Sequence, residues 1–138
     1  MDSATPAVVD TDVISFLFKS HPVATAYQAI LAGRPLAVSL ITIAEIEYGM
    51  ELKNWGSNRR ELMRRFLDRF TPLLPDAETA RLWARVKSGC EKKGRPITFA
   101  DAWIAAAALQ LNVPLATHNA NDYTAVENLI LLAAAQAE

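Results

Sequence analysis

The stretch ITFADAWIAAAAL, at residues 97–109, decides how the rest of the chain is arranged. It is almost wholly apolar and rich in alanine, so it predicts a helix that is packed on several sides. Asp101 lies near its start, where Thr98 is the predicted N-cap in a T-x-x-D form of the capping box. An ionised carboxylate there needs cations or hydrogen-bond donors, because burying an isolated charge costs more than a domain's net stability. Capping is one explanation, and the rest of the chain offers another.

The composition is that of a single globular domain, which we expect to span residues 1–138. The formal charge of -1 excludes the strong overall basicity that by itself indicates a nucleic-acid binder, but it leaves local patches open. A single cysteine, Cys90, excludes an intrachain disulfide and a cysteine-rich zinc site. We find neither a secretory leader nor a run long enough to cross a membrane, and therefore expect a cytoplasmic protein.

Short apolar runs alternate with helical patterns along the chain. The predicted strands are Pro6–Val9, Leu36–Val38, Leu115–Ala116 and Asn128–Leu132, with a short extended segment at Thr71–Pro75. The predicted helices are Val13–Lys19, Val23–Leu31, Ser39 or Thr42 to Leu52, Arg59–Phe70, Ala77–Lys92 and Thr98–Leu109. This alternation predicts a three-layer α/β/α fold around a central, mostly parallel sheet.

Acidic residues lie where the predicted strands end or the predicted helices begin. They are Asp10, Asp12, Glu45, Asp101 and Asp122. Glu45 repeats the pattern of Asp101, since TIAE at residues 42–45 also has the form of a capping box. Each acid alone is explained by a cap. The carboxyl ends of parallel strands, however, gather at one edge of the sheet, where ligands bind.

Four or five carboxylates at one edge would repel each other unless they shared a cation, and their repulsion would raise at least one pKa. Such a cluster is suited to Mg²⁺ or Mn²⁺, which prefer hard oxygen ligands and keep positions for water and substrate phosphates. The sequence therefore predicts a site for Mg²⁺ (or Mn²⁺), provided that the fold brings these acids together.

Four short segments together resemble a PIN domain, and more narrowly the VapC-type toxins of bacterial and archaeal toxin–antitoxin pairs. They are VDTDV at 9–13, AE at 44–45, DAWIAA at 101–106, and THN at 117–119 followed by DY at 122–123. The most specific part of the resemblance is the order and spacing of four acids in these segments, Asp10, Glu45, Asp101 and Asp122. The family often has Asn at the position of Asp12 and Arg at that of His118, and the segment 126–131 matches its usual ending only loosely.

The resemblance implies a quartet of catalytic, metal-holding acids, and these are Asp10, Glu45, Asp101 and Asp122. It assigns supporting roles to Thr11, Asp12, Thr117 and Asn119. For Asp12, a hydrogen bond to the backbone is favoured over direct ligation.

The resemblance further implies a metal-dependent endoribonuclease that hydrolyses RNA phosphodiester bonds and leaves a 5′-phosphate and a 3′-hydroxyl. Its substrate would be transfer, ribosomal or messenger RNA. It would be the toxin of a type II toxin–antitoxin system, inhibited by a cognate antitoxin protein and forming a homodimer.

Basic residues crowd two consecutive predicted helices. They are Arg59, Arg60, Arg64, Arg65 and Arg69 on the first, and Arg81, Arg85, Lys87, Lys92, Lys93 and Arg95 on or just after the second. Individually they are explained by a solvated face, but as a set they could contact phosphates with an affinity that weakens with salt.

Two other functions are open to this sequence. The Asp10-Thr11-Asp12 run has the D-x-D form of a haloacid-dehalogenase phosphatase, in which the first Asp is a nucleophile. That family expects Gly-Thr next, where this chain has Val13-Ile14, and no well-placed Lys completes the site. The second alternative is a PIN-fold module that binds RNA or protein without cleaving, which the loss of an acid would have favoured.

Overall fold

A five-stranded sheet forms the centre of the computed structural model, which describes residues 5–135. Its strands are β1 (Ala7–Val9), β2 (Leu36–Ser39), β3 (Thr71–Leu73), β4 (Leu115–Ala116) and β5 (Leu131–Leu132). They are arranged in the order β3-β2-β1-β4-β5, and every neighbouring pair is parallel. All carboxyl ends of these strands therefore lie at the same edge of the sheet.

Within residues 5–135, six α-helices connect β1 to β4, because parallel neighbours need long crossover connections. They are α1 (Thr11–Lys19), α2 (Ala24–Leu31), α3 (Leu40–Leu52), α4 (Ser57–Leu67), α5 (Ala77–Lys92) and α6 (Phe99–Leu111). A 3₁₀ helix, Ala120–Tyr123, follows β4.

The helices form a layer on each face of the sheet. Because successive strand residues point to opposite faces, Ala7 and Val9 pack into a core with side chains of α1 to α4, whereas Val8 packs into a second core with α5 and α6. The three-layer α/β/α prediction is confirmed. No helix within residues 5–135 is long and apolar enough to cross a membrane.

Several predicted helix ends differ from those of the structure by one to three residues. Helix α1 begins at Thr11 rather than Val13, since Asp10 caps it by accepting from the Thr11 amide. Helix α3 begins at Leu40 with Ser39 as its N-cap, which confirms the first of its two predicted starts, and the capping box predicted for residues 42–45 is not formed. Helix α4 ends at Leu67, three residues before the predicted end.

The strand predictions fail mainly at the edges of the sheet. The extended segment near Thr71 is a true strand, β3, which contains Pro72. A proline is tolerated there because an edge strand need not donate from every amide. At the other edge, β5 comprises only two residues, Leu131 and Leu132, rather than five.

Candidate active site

Asp10 is the most buried acid of the site, with 5% of its surface exposed. It follows β1 directly and caps α1, so the end of the strand fixes its backbone. Its Oδ1 accepts from the Thr11 amide at 2.8 Å, and its Oδ2 accepts from the hydroxyls of Thr117 at 2.8 Å and Tyr123 at 2.9 Å. Burial raises the pKa of Asp10 from 3.8 to about 7, and the charge of Asp12 adds to this rise.

Asp101 reaches the same point from the opposite layer. It lies in the first turn of α6, where the Thr98 side chain caps the helix by accepting from the Asp101 amide at 3.1 Å. Its Oδ1 is 3.1 Å from the Tyr123 hydroxyl, which donates to it. Partial burial raises the pKa of Asp101, and the negative charge of Asp122 raises it further. The predicted Thr98 cap is thus present, and the carboxylate also takes part in the site.

Tyr123 joins these two acids, and sequence reasoning assigned it no role. Its side chain is 1% exposed, and its hydroxyl lies within hydrogen-bonding distance of both Asp10 and Asp101. Burial raises the pKa of Tyr123, and both carboxylates reinforce that shift, so the phenol stays protonated as a donor. Its place directly after Asp122, in an otherwise polar run, is the one signal in the sequence.

Asp12 ties the loop after β4 to the start of α1. Its Oδ1 accepts from the Val13 amide at 2.7 Å, while its Oδ2 accepts from the His118 amide at 3.1 Å and from Asn119 Nδ2 at 3.0 Å. Burial is the main cause of a raised Asp12 pKa. These bonds to the backbone agree with the positioning role favoured for Asp12 over ligation.

Thr117 and Asn119, both predicted as supporting residues, lie in that loop. Fully buried Thr117 donates to Asp10 and accepts from the Asn119 amide at 3.1 Å. The next position, His118, has its Nδ1 2.7 Å from the hydroxyl of Tyr27. The loop is therefore fixed to both acids of the β1–α1 junction.

Glu45 and Thr11 meet at the exposed rim of the site. The Thr11 hydroxyl donates to Glu45 Oε1 at 2.8 Å, and it also lies 3.1 Å from the hydroxyl of buried Thr42. Glu45 falls in the second turn of α3 rather than the first, because the helix begins at Leu40. The fold therefore places Glu45 next to the residue that follows Asp10.

Asp122 is also exposed and lies in the 3₁₀ helix. Its amide donates to the Asn119 carbonyl at 2.9 Å, and its charge acts on Asp101. The fold brings all the predicted acids to one edge, with Asp10 buried, Asp101 half-buried beside it, and Glu45 and Asp122 exposed at the rim.

The donor set of this edge suits a divalent cation. No ion pair found in the described part of the chain involves any of the five acids. Within residues 5–135, no three His, Cys, Asp or Glu side chains already converge as a metal cluster, and a hydroxyl lies between Asp10 and Asp101 instead. Carboxylate oxygens are hard ligands, and a nearby cation would offset the desolvation that raises the pKa of Asp10.

In the described part of the chain, five of these eleven basic residues form an ion pair with an acid. On α4, Arg60 pairs with Glu51 at 2.6 Å, Arg64 with Glu47 at 2.9 Å and Arg65 with Glu61 at 3.2 Å. Arg95 has a different place, since its Nη2 donates to the Asn121 carbonyl at 3.1 Å, beside Asp122. This contact places Arg95 against the 3₁₀ helix that carries Asp122.

Comparison with known proteins defines the class of this chain. The PIN domain family model matches residues 7–128. Ribonuclease VapC1 of Haemophilus influenzae strain R2866 is 31% identical over 128 residues, which cover 88% of this chain and 92% of the relative. The chain therefore belongs to the PIN domain family and, within it, to the VapC ribonucleases.

Further relatives carry more specific names. A protein of Shigella flexneri named tRNA(fMet)-specific endonuclease VapC is 24% identical over 122 residues, which cover 88% of this chain and 92% of the relative. Toxin FitB of Neisseria gonorrhoeae strain ATCC 700825 / FA 1090 is 30% identical over 128 residues, covering 87% of this chain and 92% of that toxin.

Solved structures agree on the fold. The Rickettsia felis VapBC2 structure, bound to a DNA fragment from its promoter, has a chain that superposes with a TM-score of 0.83 at 23% identity, covering 94% of this chain and 99% of that one. VapBC-1 from nontypeable Haemophilus influenzae gives a TM-score of 0.74 at 28% identity, with coverages of 93% and 97%.

Proposed function

We propose that this chain is a Mg²⁺- or Mn²⁺-dependent endoribonuclease and the toxin of a type II toxin–antitoxin system. The observation that carries the proposal is the meeting of two carboxylates from different layers, buried Asp10 and half-buried Asp101, at the edge where the parallel strands end. The ribonuclease and endonuclease names of the relatives support the reaction type.

Asp10 and Asp101 are the residues that would hold the cation, with Glu45 and Asp122 contributing from the rim. A bound Mg²⁺ or Mn²⁺ would lower the pKa of a water molecule and stabilise charge on the phosphoryl oxygens. Asp10 keeps a fixed orientation through three hydrogen bonds, two of them from side chains. The exposed acids leave that edge open to a large substrate.

The supporting residues act through the acids. Thr117 orients Asp10, and Thr11 orients Glu45. Asp12 and Asn119 hold the loop that carries Thr117 against the start of α1. These contacts position the acids before a ligand arrives, which is what electrostatic catalysis by a preorganised site requires.

RNA is the proposed substrate, as transfer, ribosomal or messenger RNA. An acidic edge repels phosphates, so binding must come from cations beside it and from the ion itself. Arg95, whose guanidinium lies beside the 3₁₀ helix, is placed for this task.

A cognate antitoxin and a second copy of the chain are the proposed partners in the cytoplasm. The chain's solved relatives are VapBC complexes, and FitB is named a toxin. Helices α3 and α4 are linked by the Arg60–Glu51 and Arg64–Glu47 ion pairs. Both helices expose large apolar side chains of the kind that protein interfaces bury. These are Tyr48 at 67%, Leu52 at 69% and Leu62 at 57%.

The test is cleavage of end-labelled total transfer RNA by the purified chain, with ribosomal and messenger RNA as further substrates. Discrete fragments with 5′-phosphates should form with Mg²⁺ or Mn²⁺ and vanish with chelator, with Asp10→Asn and with Asp101→Asn. Asp68→Asn, at an exposed position beyond α4, is the matched control and should cleave normally.

The alternative is a PIN-fold module that binds RNA or protein without cleaving it. Wild-type and substituted chains that were equally inert on every RNA, while still binding it, would favour that function. In a bacterial host, the toxin function predicts growth arrest upon expression of the wild type and normal growth with Asp10→Asn.

A further inference from the structure

The hydroxyl of Tyr123 is shared by two carboxylates of the site, buried Asp10 and half-buried Asp101. Its oxygen lies 2.9 Å from Asp10 Oδ2 and 3.1 Å from Asp101 Oδ1. A phenol has one hydrogen and therefore donates to one acceptor at a time. Asp10 and Asp101, on different elements of the fold, therefore share one donor, which bonds to either carboxylate in turn.

The position of this hydroxyl is set by the core and not by the acids. The Tyr123 ring is 1% exposed and packs in the cluster that contains Val8, Leu115 and Val126. Tyrosine has only two side-chain torsions, so a packed ring places its oxygen with little freedom. The same residue closes the 3₁₀ helix that carries Asp122, and it therefore links a third acid of the quartet to the core.

The hydrogen bonds leave acceptor capacity at Asp10. The carboxylate accepts from the Thr11 amide, the Thr117 hydroxyl and the Tyr123 hydroxyl. A carboxylate offers about four lone pairs, so three donors orient it without exhausting it. Groups that orient metal ligands in this way commonly determine affinity for the ion.

We propose that Tyr123 is a positioning residue, whose hydroxyl holds Asp10 and Asp101 at the separation from which they take up a divalent cation. The proposal rests on the proposed function, because it takes these two acids as ligands. Tyr123 itself acts through the carboxylates. The Tyr123→Phe variant removes one oxygen and leaves the packed ring in place, so the fold is expected to form.

The test is calorimetric titration of the RNA-free chain with Mn²⁺. Tyr123→Phe should bind Mn²⁺ about 10- to 100-fold more weakly than the wild type. The matched control is Tyr27→Phe. Tyr27 is equally buried, and its hydroxyl contacts the Thr117 carbonyl, His118 Nδ1 and the Ala134 amide rather than a carboxylate. Because this hydroxyl reaches Asp10 only through the Thr117 loop, Tyr27→Phe should lose much less Mn²⁺ affinity than Tyr123→Phe.

A second variant separates an effect on both acids from an effect on one. Thr117→Val removes the neighbouring donor to Asp10 Oδ2 and leaves the bond to Asp101, so it should lose less Mn²⁺ affinity than Tyr123→Phe. In cleavage assays, raising Mn²⁺ should restore the rate of Tyr123→Phe but not that of Asp10→Asn.

The outcomes distinguish this proposal from the proposed function. Wild-type and Tyr123→Phe chains that bind Mn²⁺ equally, or a variant that binds more tightly, would overturn the role of Tyr123 and leave the metal site standing. A wild-type chain that binds no more Mn²⁺ than Asp10→Asn would overturn both. A loss of Mn²⁺ affinity in Tyr27→Phe as large as that in Tyr123→Phe would also overturn the role of Tyr123. The loss would then follow from removing any buried hydroxyl.

Discussion

The hydroxyl of Thr11 donates to Glu45 Oε1 across 2.8 Å, and this bond joins the start of α1 to the second turn of α3. Thr11 follows Asp10 directly. Thr11 and Glu45 are 34 residues apart in the chain, and their bond holds the exposed carboxylate of Glu45 next to the residue that follows buried Asp10. It fixes Glu45, whose own position on the helix surface would leave its carboxylate mobile.

Thr11→Val should lower the RNA cleavage rate about 10-fold, because it frees Glu45 while keeping the shape of the side chain. The free energy of unfolding should fall by only about 1 kcal/mol, the usual net worth of one hydrogen bond. Cleavage kinetics and urea unfolding measure the two effects. Thr71→Val, on the edge strand β3, is the control, and a Thr11→Val chain as active as that control would refute the role of this bond.

Metal-free stability should fall as the pH rises from about 4 to about 7. The native Asp10 carboxyl holds its proton up to a pKa of about 7, against 3.8 in an ordinary environment. The folded state thus binds more protons than the unfolded state in that window, which lowers the free energy of unfolding as the proton is lost. The loss at this one group is on the order of 4 kcal/mol.

Urea unfolding in the presence of chelator at pH 5 and pH 8 tests this predicted fall in the free energy of unfolding. Asp10→Asn cannot ionise there, so it should lose less stability between the two pH values and exceed the wild type at pH 8. Parallel profiles for the two chains would show that Asp10 does not carry a raised pKa.

Asp12→Ala should cost about 3 kcal/mol or more of unfolding free energy. It leaves the His118 and Val13 amides without their acceptor, and hydrogen bonds to charged groups are worth roughly 1.5–3 kcal/mol each. Chemical denaturation measures the change, with exposed Asp68→Ala as the comparison. A loss no larger than in Asp68→Ala would mean that the loop after β4 is held by other contacts.

Arg95→Ala should raise the KM for RNA more than it lowers kcat, because the guanidinium lies beside the acidic edge without contacting its carboxylates. If Arg95 contacts a phosphate, the slope of log affinity against log salt should become shallower by about one. RNA binding over a salt series measures that slope. Arg65→Ala, on α4 and paired with Glu61, should retain the wild-type slope, and equal slopes in all three chains would exclude the contact.

The local signals in the sequence predicted the framework well. The apolar run at 97–109 is helix α6 with Thr98 as its cap, and the polar residues after β1 and β4 do meet at one edge. These features depend on neighbours in the chain, which a pattern can reveal. The start of α3 could not be decided in this way, because Ser39 and Thr42 were both possible N-caps. In the structure Ser39 is the N-cap, and Thr42 is buried with its hydroxyl against that of Thr11.

The role of Tyr123 could not be predicted in this way. Its hydroxyl contacts Asp10, 113 residues away, and Asp101, 22 residues away, so only the assembled sheet brings the three together. From sequence, an aromatic residue after a polar run indicates no more than an anchor to the core. The acids were found because several of them follow strands or open helices in the order and spacing of a known family, whereas a buried tyrosine is ordinary.

The central claim is that Asp10 and Asp101 jointly hold a divalent cation. It is tested most directly by anomalous diffraction from crystals of the chain soaked in Mn²⁺. If both residues are ligands, an anomalous peak for Mn²⁺ should lie about 2.0–2.3 Å from a carboxylate oxygen of each, and crystals of Asp10→Asn should show no peak there. Ordered Mn²⁺ at another place, with none between these two carboxylates, would contradict it.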